Sequence, residues 1–177
     1  MDIISHGLWG GVAFGRKSRK QYWQAFFFGI VPDLFSFGIY TIASVLRIGD
    51  VANAQRVGQH DMAQIPHYVG FLYNYTHSLI IFTLVFGAVW ILRKKPLMVM
   101  LAWPLHILVD IPSHAETFFP TPFLWPISTF HINGISWGHP IIFFPNVILL
   151  VLVYAWWYLK KNNFIKNKQN GRVNQKN

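Results

Sequence analysis

The chain of 177 residues contains no cysteine and few charged side chains. Without cysteine there are no disulfides and no thiolate ligands, so any bound metal must be held by histidine, carboxylate, carbonyl or water. Charged residues make up 12% of the chain, against roughly 25% in a typical soluble domain. Hydrophobic residues make up 53%. This composition predicts an integral membrane protein with a handful of spans.

Four apolar segments are candidates for crossing a bilayer. They cover residues 24–46, 69–92, 97–111 and 141–159. The Pro32-Asp33 pair interrupts the first, and the third is shorter than the roughly 20 residues that a bilayer core requires. An apolar stretch at 2–14 predicts one further helix. We therefore predict an all-α integral membrane helical bundle with about four transmembrane helices plus a short N-terminal helix.

Composition divides the chain into two parts. Residues 1–164 contain the apolar segments and form the predicted membrane-embedded helical domain. Within it, the stretch 112–140 is rich in proline and tryptophan and predicts an irregular lid over the outer face. Residues 165–177 are rich in lysine, asparagine and glutamine, which predicts a basic disordered tail.

The basic residues lie mainly at the ends of the apolar segments. All of the 15 lysines and arginines except Arg47 and Arg56 fall in 16–20, in 93–95 or from Lys160 onward. The positive-inside rule then predicts a multi-pass protein with both termini in the cytoplasm. The same distribution makes the lipid bilayer, and not nucleic acid, the expected partner for the net charge of +9.

Five ionisable residues lie inside apolar stretches: His6, Asp33, His77, His106 and Asp110. His106 and Asp110 are four residues apart, so a helix places them on one face, one turn apart. Each such group costs roughly 2.5–3.5 kcal/mol on insertion scales. The helical rise places all five near the middle of the membrane. Five groups at one depth predict a shared site.

These residue types predict a divalent metal site. Nitrogen and oxygen ligands without sulfur suit Zn²⁺, Mn²⁺ or Fe²⁺, with Zn²⁺ favoured. His77, His106 and Asp110 would hold the metal, and His6 and Asp33 would complete the set. The five residues could serve a two-metal site, or one metal with Asp33 or Asp110 acting as a catalytic base or orienting a ligand.

The order of these motifs resembles that in a known family. The matching segments are His6, Pro32-Asp33, Thr76-His77-Ser78, His106 to Asp110 and Leu124-Trp125-Pro126. They resemble a family of bacterial inner-membrane proteins described as membrane-bound metal-dependent hydrolases, which is distantly similar to zinc-dependent phospholipase C. The resemblance covers roughly residues 1–130. It implies hydrolysis of an ester or phosphoester in a lipid-like substrate at the bacterial inner membrane.

Two other functions use the same residues. A metal or proton transporter would line its path with them, although the sequence shows no internal repeat to support this. A structural membrane protein would only pair them with one another. His114, which follows Asp110 by four residues, is a further candidate ligand at the rim of the site.

Overall fold

The computed structural model describes residues 1–46, 65–117 and 119–174 of the protein, and their regular secondary structure is entirely helical. The helices are α1 (Ile3–Phe14), α2 (Arg19–Asp33), α3 (Ile39–Val45), α4 (His67–Thr76), α5 (Leu79–Arg93), α6 (Ala102–Ser113) and α7 (Pro140–Asn174). A π-helical turn, Leu34–Gly38, joins α2 to α3, and a 3₁₀ turn, Met98–Leu101, precedes α6. The predicted helical class and the short N-terminal helix are confirmed.

Two helical stretches within the described residues are long and apolar enough to cross a membrane, Arg19–Ala43 and Pro140–Lys161. The pair α4 and α5 reaches that standard only as one span, and it bends by 60°. The third predicted segment, 97–111, forms the shorter apolar helix Met98–Ser113. The structure thus has two membrane-spanning candidates, or three with the bent pair, where the sequence predicts about four.

The first span is continuous where the sequence predicts a break at Pro32-Asp33. Proline lacks an N–H and crowds the preceding turn, and here the helix widens into the π-helical turn that follows. The Ser36 hydroxyl donates to the Pro32 carbonyl at 2.9 Å. Asp33 therefore lies at the junction between α-helical and π-helical backbone.

The second span is interrupted where the sequence predicts one helix. The Ser78 hydroxyl accepts hydrogen bonds from the amides of Ile80 and Ile81, both at 3.1 Å, and so caps α5. The same hydroxyl donates to the carbonyl of Trp125. These bonds fix the break, and His77 lies within it.

Helices α1 and α2 pack closely through small residues. A Cβ atom added to Gly29 would lie 2.5 Å from the carbonyl oxygen of His6. A Cβ atom on Gly10 would lie 2.7 Å from the carbonyl oxygen of Ala25. Close approach of small residues is a common basis of helix association in membranes. It brings His6 next to the end of α2.

Helix α7 attaches to α1 through polar side chains. The Asn146 amide accepts from the Trp9 indole at 2.8 Å and donates to the Ser5 hydroxyl at 2.9 Å. The Tyr154 hydroxyl donates to the Leu8 carbonyl at 2.8 Å. The backbone of α7 continues as helix through residues 165–174, for which the sequence predicts a disordered tail.

Candidate metal centre

Four of the five predicted ligands converge in one group. A ligand atom from each of Asp33, His77, His106 and Asp110 lies within 4.8 Å of those of the other three. Helix α2 provides the first, the break between α4 and α5 the second, and α6 the last two. The side chains are buried, with Asp33 the most exposed at 9%.

The separations suit a bound metal ion. The Nε2 atom of His106 lies 3.0 Å from that of His77, 3.1 Å from Asp110 Oδ2 and 3.8 Å from Asp33 Oδ1. The Nε2 atom of His77 lies 3.4 Å from Asp33 Oδ1 and 3.6 Å from Asp110 Oδ2. Tetrahedral ligands at roughly 2.0–2.1 Å from Zn²⁺ are roughly 3.3 Å apart. The four side chains could therefore hold one ion with small adjustments.

Backbone carbonyls orient both imidazoles. His106 Nδ1 lies 2.7 Å from the Gly29 carbonyl oxygen, and His77 Nδ1 lies 3.2 Å from that of Tyr73. A carbonyl oxygen only accepts, so each Nδ1 carries a proton, and the neutral form of each ring then has its lone pair on Nε2. The Thr76 hydroxyl, 3.0 Å from His77 Nδ1, adds a further contact.

When both rings are neutral, the site brings hydrogen-bond acceptors close together with no donor between them. Two Nε2 lone pairs face each other, with two carboxylates beside them. Within the described chain, Asp110 Oδ2 is buried and makes no hydrogen bond. Buried acceptors are normally paired, so a shared cation would resolve the conflict. The donor set fits the predicted divalent metal, whose identity the geometry leaves open.

The other oxygen of Asp110 faces a second pair of histidines. Asp110 Oδ1 lies 2.9 Å from His6 Nε2 and 3.5 Å from His114 Nε2, and it also contacts the Met1 amino group. The His6 ring stacks on the His106 ring with centroids 3.6 Å apart. His6 thus lies beside the four-residue group, where it orients Asp110 and His106. Its predicted role as a direct ligand stays a prediction.

His114 is held by a network that the sequence analysis did not identify. Its Nδ1 donates to the Phe119 carbonyl at 2.8 Å, and the Tyr73 hydroxyl donates to the same oxygen at 3.0 Å. Phe119 has a φ of 46°, in the left-handed region that few non-glycine residues adopt. Burial lowers the pKa of the His114 imidazole below its ordinary value and favours the neutral ring. Tyr73 lies one turn before His77 in the sequence, and this spacing could have indicated that its hydroxyl belongs to the network.

An apolar cavity of about 530 Å³ reaches the metal centre. Asp33 and His114 lie in its wall, together with Leu34, Phe37 and Ile42 from the first span. Trp137, from the loop predicted to form a lid, also lies in the wall. That loop returns to the end of α6, where the Gly134 amide donates to the His114 carbonyl at 2.8 Å.

Two of the motifs noted in the sequence contact each other. Besides the hydrogen bond between Ser78 and Trp125, the Trp125 ring packs against Tyr75 with centroids 4.3 Å apart. The Trp103 indole donates to the Thr76 carbonyl at 2.6 Å. These contacts hold the helix break that presents His77.

The remaining histidines have other environments. His131 lies 3.6 Å from the exposed carboxylate of Glu116, and His139 Nδ1 accepts from the amide of Ile141 at 3.3 Å. His67 begins α4, and His60 lies outside the described residues.

Comparisons with known proteins find no matching family model, no matching curated protein and no matching solved structure.

Proposed function

We propose that the protein is a membrane-bound, metal-dependent hydrolase that cleaves an ester or phosphoester in a lipid-like substrate. The observation that carries the proposal is the pair of Nε2 atoms, 3.0 Å apart, that His77 and His106 direct towards Asp33 and Asp110. A divalent ion bound there, with Zn²⁺ favoured by the donor set, supplies a Lewis acid for polarising the scissile bond and activating water.

The chain's own residues divide the work around that site. Asp33 belongs to the four-residue group and also lies in the wall of the cavity, so it is positioned to take a proton from an attacking water. Asp110 is fully buried and flanked by His6 and His106, so its negative charge would be held in a fixed position. His114 also lies in the wall of the cavity and would contact the substrate.

The cavity supports the choice of a lipid-like substrate. Its wall is largely apolar, and its volume of about 530 Å³ accommodates a headgroup and part of an acyl chain. The proposal includes placement in a bacterial inner membrane with both termini in the cytoplasm. The bent pair α4–α5 and the short helix α6 would then serve as the second and third of four spans. We include in the proposal that the protein is related to the metal-dependent hydrolase family that its motifs resemble.

A metal or proton transporter is the second candidate. The observation that favours it is the 60° bend at which His77 lies, because transporters bind ions at broken helices near the middle of the membrane. Flux of Zn²⁺ into liposomes containing the protein, without cleavage of any lipid, would favour this alternative.

Metal analysis of detergent-purified protein tests the proposal. Wild-type protein should contain at least one divalent ion per chain, and His106→Ala should lose most of it because one of the facing Nε2 atoms is removed. His131→Ala, which changes an imidazole outside the centre, should retain the metal. Folded wild-type protein that takes up neither Zn²⁺ nor Mn²⁺ would contradict the proposal.

Activity is tested separately on reconstituted protein. Phospholipids and polyprenyl phosphates should be cleaved in a reaction that a chelator abolishes and added metal restores. If the protein contains metal but cleaves none of these lipids, the proposed hydrolase activity is wrong, while the proposed metal centre still stands.

A further inference from the structure

Two adjacent cavities lie at the end of the molecule where α2 begins and the apolar part of α7 ends. They have volumes of about 630 Å³ and about 340 Å³ and share Arg16, Trp157 and Lys161 in their walls. Asp33, at the other end of α2, is about 21 Å further along that helix, so this basic cleft is separate from the metal centre.

We propose that the basic cleft binds the phosphate headgroup of an anionic phospholipid. Five cationic side chains surround it: Arg16, Lys17, Arg19, Lys160 and Lys161. Among the described residues, every ion pair with a carboxylate uses a histidine or the Met1 amino group, so no described carboxylate pairs with any of these five cations. Basic pockets at the cytoplasmic ends of membrane helices are suited to anionic headgroups.

Aromatic residues give the cleft a fixed wall. The Trp157 ring stacks on Tyr22 with centroids 5.8 Å apart, and the Tyr22 and Tyr154 hydroxyls are 2.8 Å apart. Lys160 Nζ lies 5.2 Å from the centroid of the Trp156 ring. These contacts link the start of α2 to the end of α7 and hold cations from both helices around one space.

The position of the cleft favours a lipid over a soluble phosphate. It lies where two apolar spans, Arg19–Ala43 and Pro140–Lys161, reach their basic ends. The neighbouring face of α7 is apolar and open, with Leu152 58% and Leu159 60% exposed. A headgroup in the cleft would let its acyl chains continue along this face. A free phosphate would use the cations and leave that face without a role.

The test is a lipid titration of the full chain in detergent, followed by native mass spectrometry. Phosphatidylglycerol is the anionic probe, phosphatidylcholine the zwitterionic comparison and inorganic phosphate the soluble competitor. The variant R16Q/K161Q removes two charges that both cavities share. The matched control K94Q/K95Q removes two charges from exposed residues that neither cavity includes.

Wild type should bind phosphatidylglycerol more tightly than phosphatidylcholine, and R16Q/K161Q should weaken phosphatidylglycerol binding by about tenfold or more. K94Q/K95Q should bind it as wild type does. Because all four positions are exposed, both variants should keep the wild-type circular dichroism and melting temperature. Equal losses in the two variants, or displacement of the lipid by an equal concentration of inorganic phosphate, would overturn the proposal.

Discussion

At the scale of single residues, the metal centre depends on which nitrogen of each imidazole is protonated. The Gly29 and Tyr73 carbonyls hold the Nδ1 protons of His106 and His77, and this leaves both Nε2 lone pairs facing the carboxylates. Groups that orient a ligand in this way are nearly as important for metal affinity as the ligands themselves. Asp110 connects the two parts of the site, because its two carboxylate oxygens face different pairs of histidines.

Replacing Asp110 with asparagine should remove most of the bound metal and abolish hydrolysis while the fold is retained. The amide removes one negative charge and can donate a hydrogen bond to an imidazole Nε2, which would satisfy that lone pair without a metal. The expected loss of affinity exceeds the roughly 10–100-fold cost of changing a group outside the direct ligands. Metal content and melting temperature are the measurements.

The control for this prediction is Glu116→Gln. It makes the same chemical change at an exposed carboxylate that contacts only His131 among the ion pairs of the described residues. Its metal content should equal that of wild type. An Asp110→Asn protein with full metal occupancy would exclude Asp110 as a ligand.

At the scale of helices, the centre depends on how closely α1 approaches α2. The Gly29 backbone contacts the backbone of His6 on one side and accepts from His106 on the other. Small residues along α1 permit this approach, and the break between α4 and α5 inserts His77 from the opposite direction. The four ligands come from α2, from the break between α4 and α5, and from α6. These elements must therefore pack in the correct relative positions before the four side chains can share an ion.

Gly29→Ala should destabilise the protein by about 1–3 kcal/mol, the typical cost of forcing extra volume into a packed contact. The added Cβ would lie 2.5 Å from the His6 carbonyl, so α1 and α2 must separate. Metal affinity should fall with stability, because the Gly29 carbonyl also orients His106. Thermal unfolding in detergent and metal titration measure the two effects.

Gly87→Ala is the matched control for the same substitution in a helix. A Cβ atom at Gly87 meets nothing within 4 Å. Alanine also has the higher helix propensity, so this variant should be as stable as wild type or slightly more stable. Equal melting temperatures for the Gly29 and Gly87 variants would show that the α1–α2 contact tolerates the added volume.

At the scale of the whole molecule, the basic residues and the metal centre lie at different levels. The start of α2, the end of α5 and the end of the apolar part of α7 are basic. The loop between α6 and α7 contains no lysine or arginine and contributes Trp137 to the wall of the cavity. In the proposed topology, which follows the positive-inside rule, the cavity lies towards the outer face of the membrane.

Labelling of single cysteines in this cysteine-free chain tests that orientation. In intact cells, Ser136→Cys in the loop before α7 should react with a membrane-impermeant maleimide. Ser18→Cys at the start of α2 should react only after the membrane is opened. Both serines are exposed, so a difference in labelling reports the side of the membrane and not burial. The reverse pattern would invert the proposed topology.

Much of the centre could be predicted from the sequence because ionisable residues are conspicuous in apolar segments. Asp33, His77, His106 and Asp110 were all identified in this way, and the four-residue spacing placed His106 and Asp110 on one face of a helix. The bend at Ser78 could not be predicted. It depends on a hydrogen bond to Trp125, 47 residues further along the chain.

The sequence by itself determined the helical class, the apolar segments and the residue types available to a metal, because these follow from composition and spacing. Only the tertiary structure decided which atoms meet. The contact between Gly29 and His6 and the contact of His106 Nδ1 with the Gly29 carbonyl both join residues that are distant in the chain. The position of His6 beside the four-residue group, next to Asp110, follows from the same packing, because it is set by where α1 rests on α2.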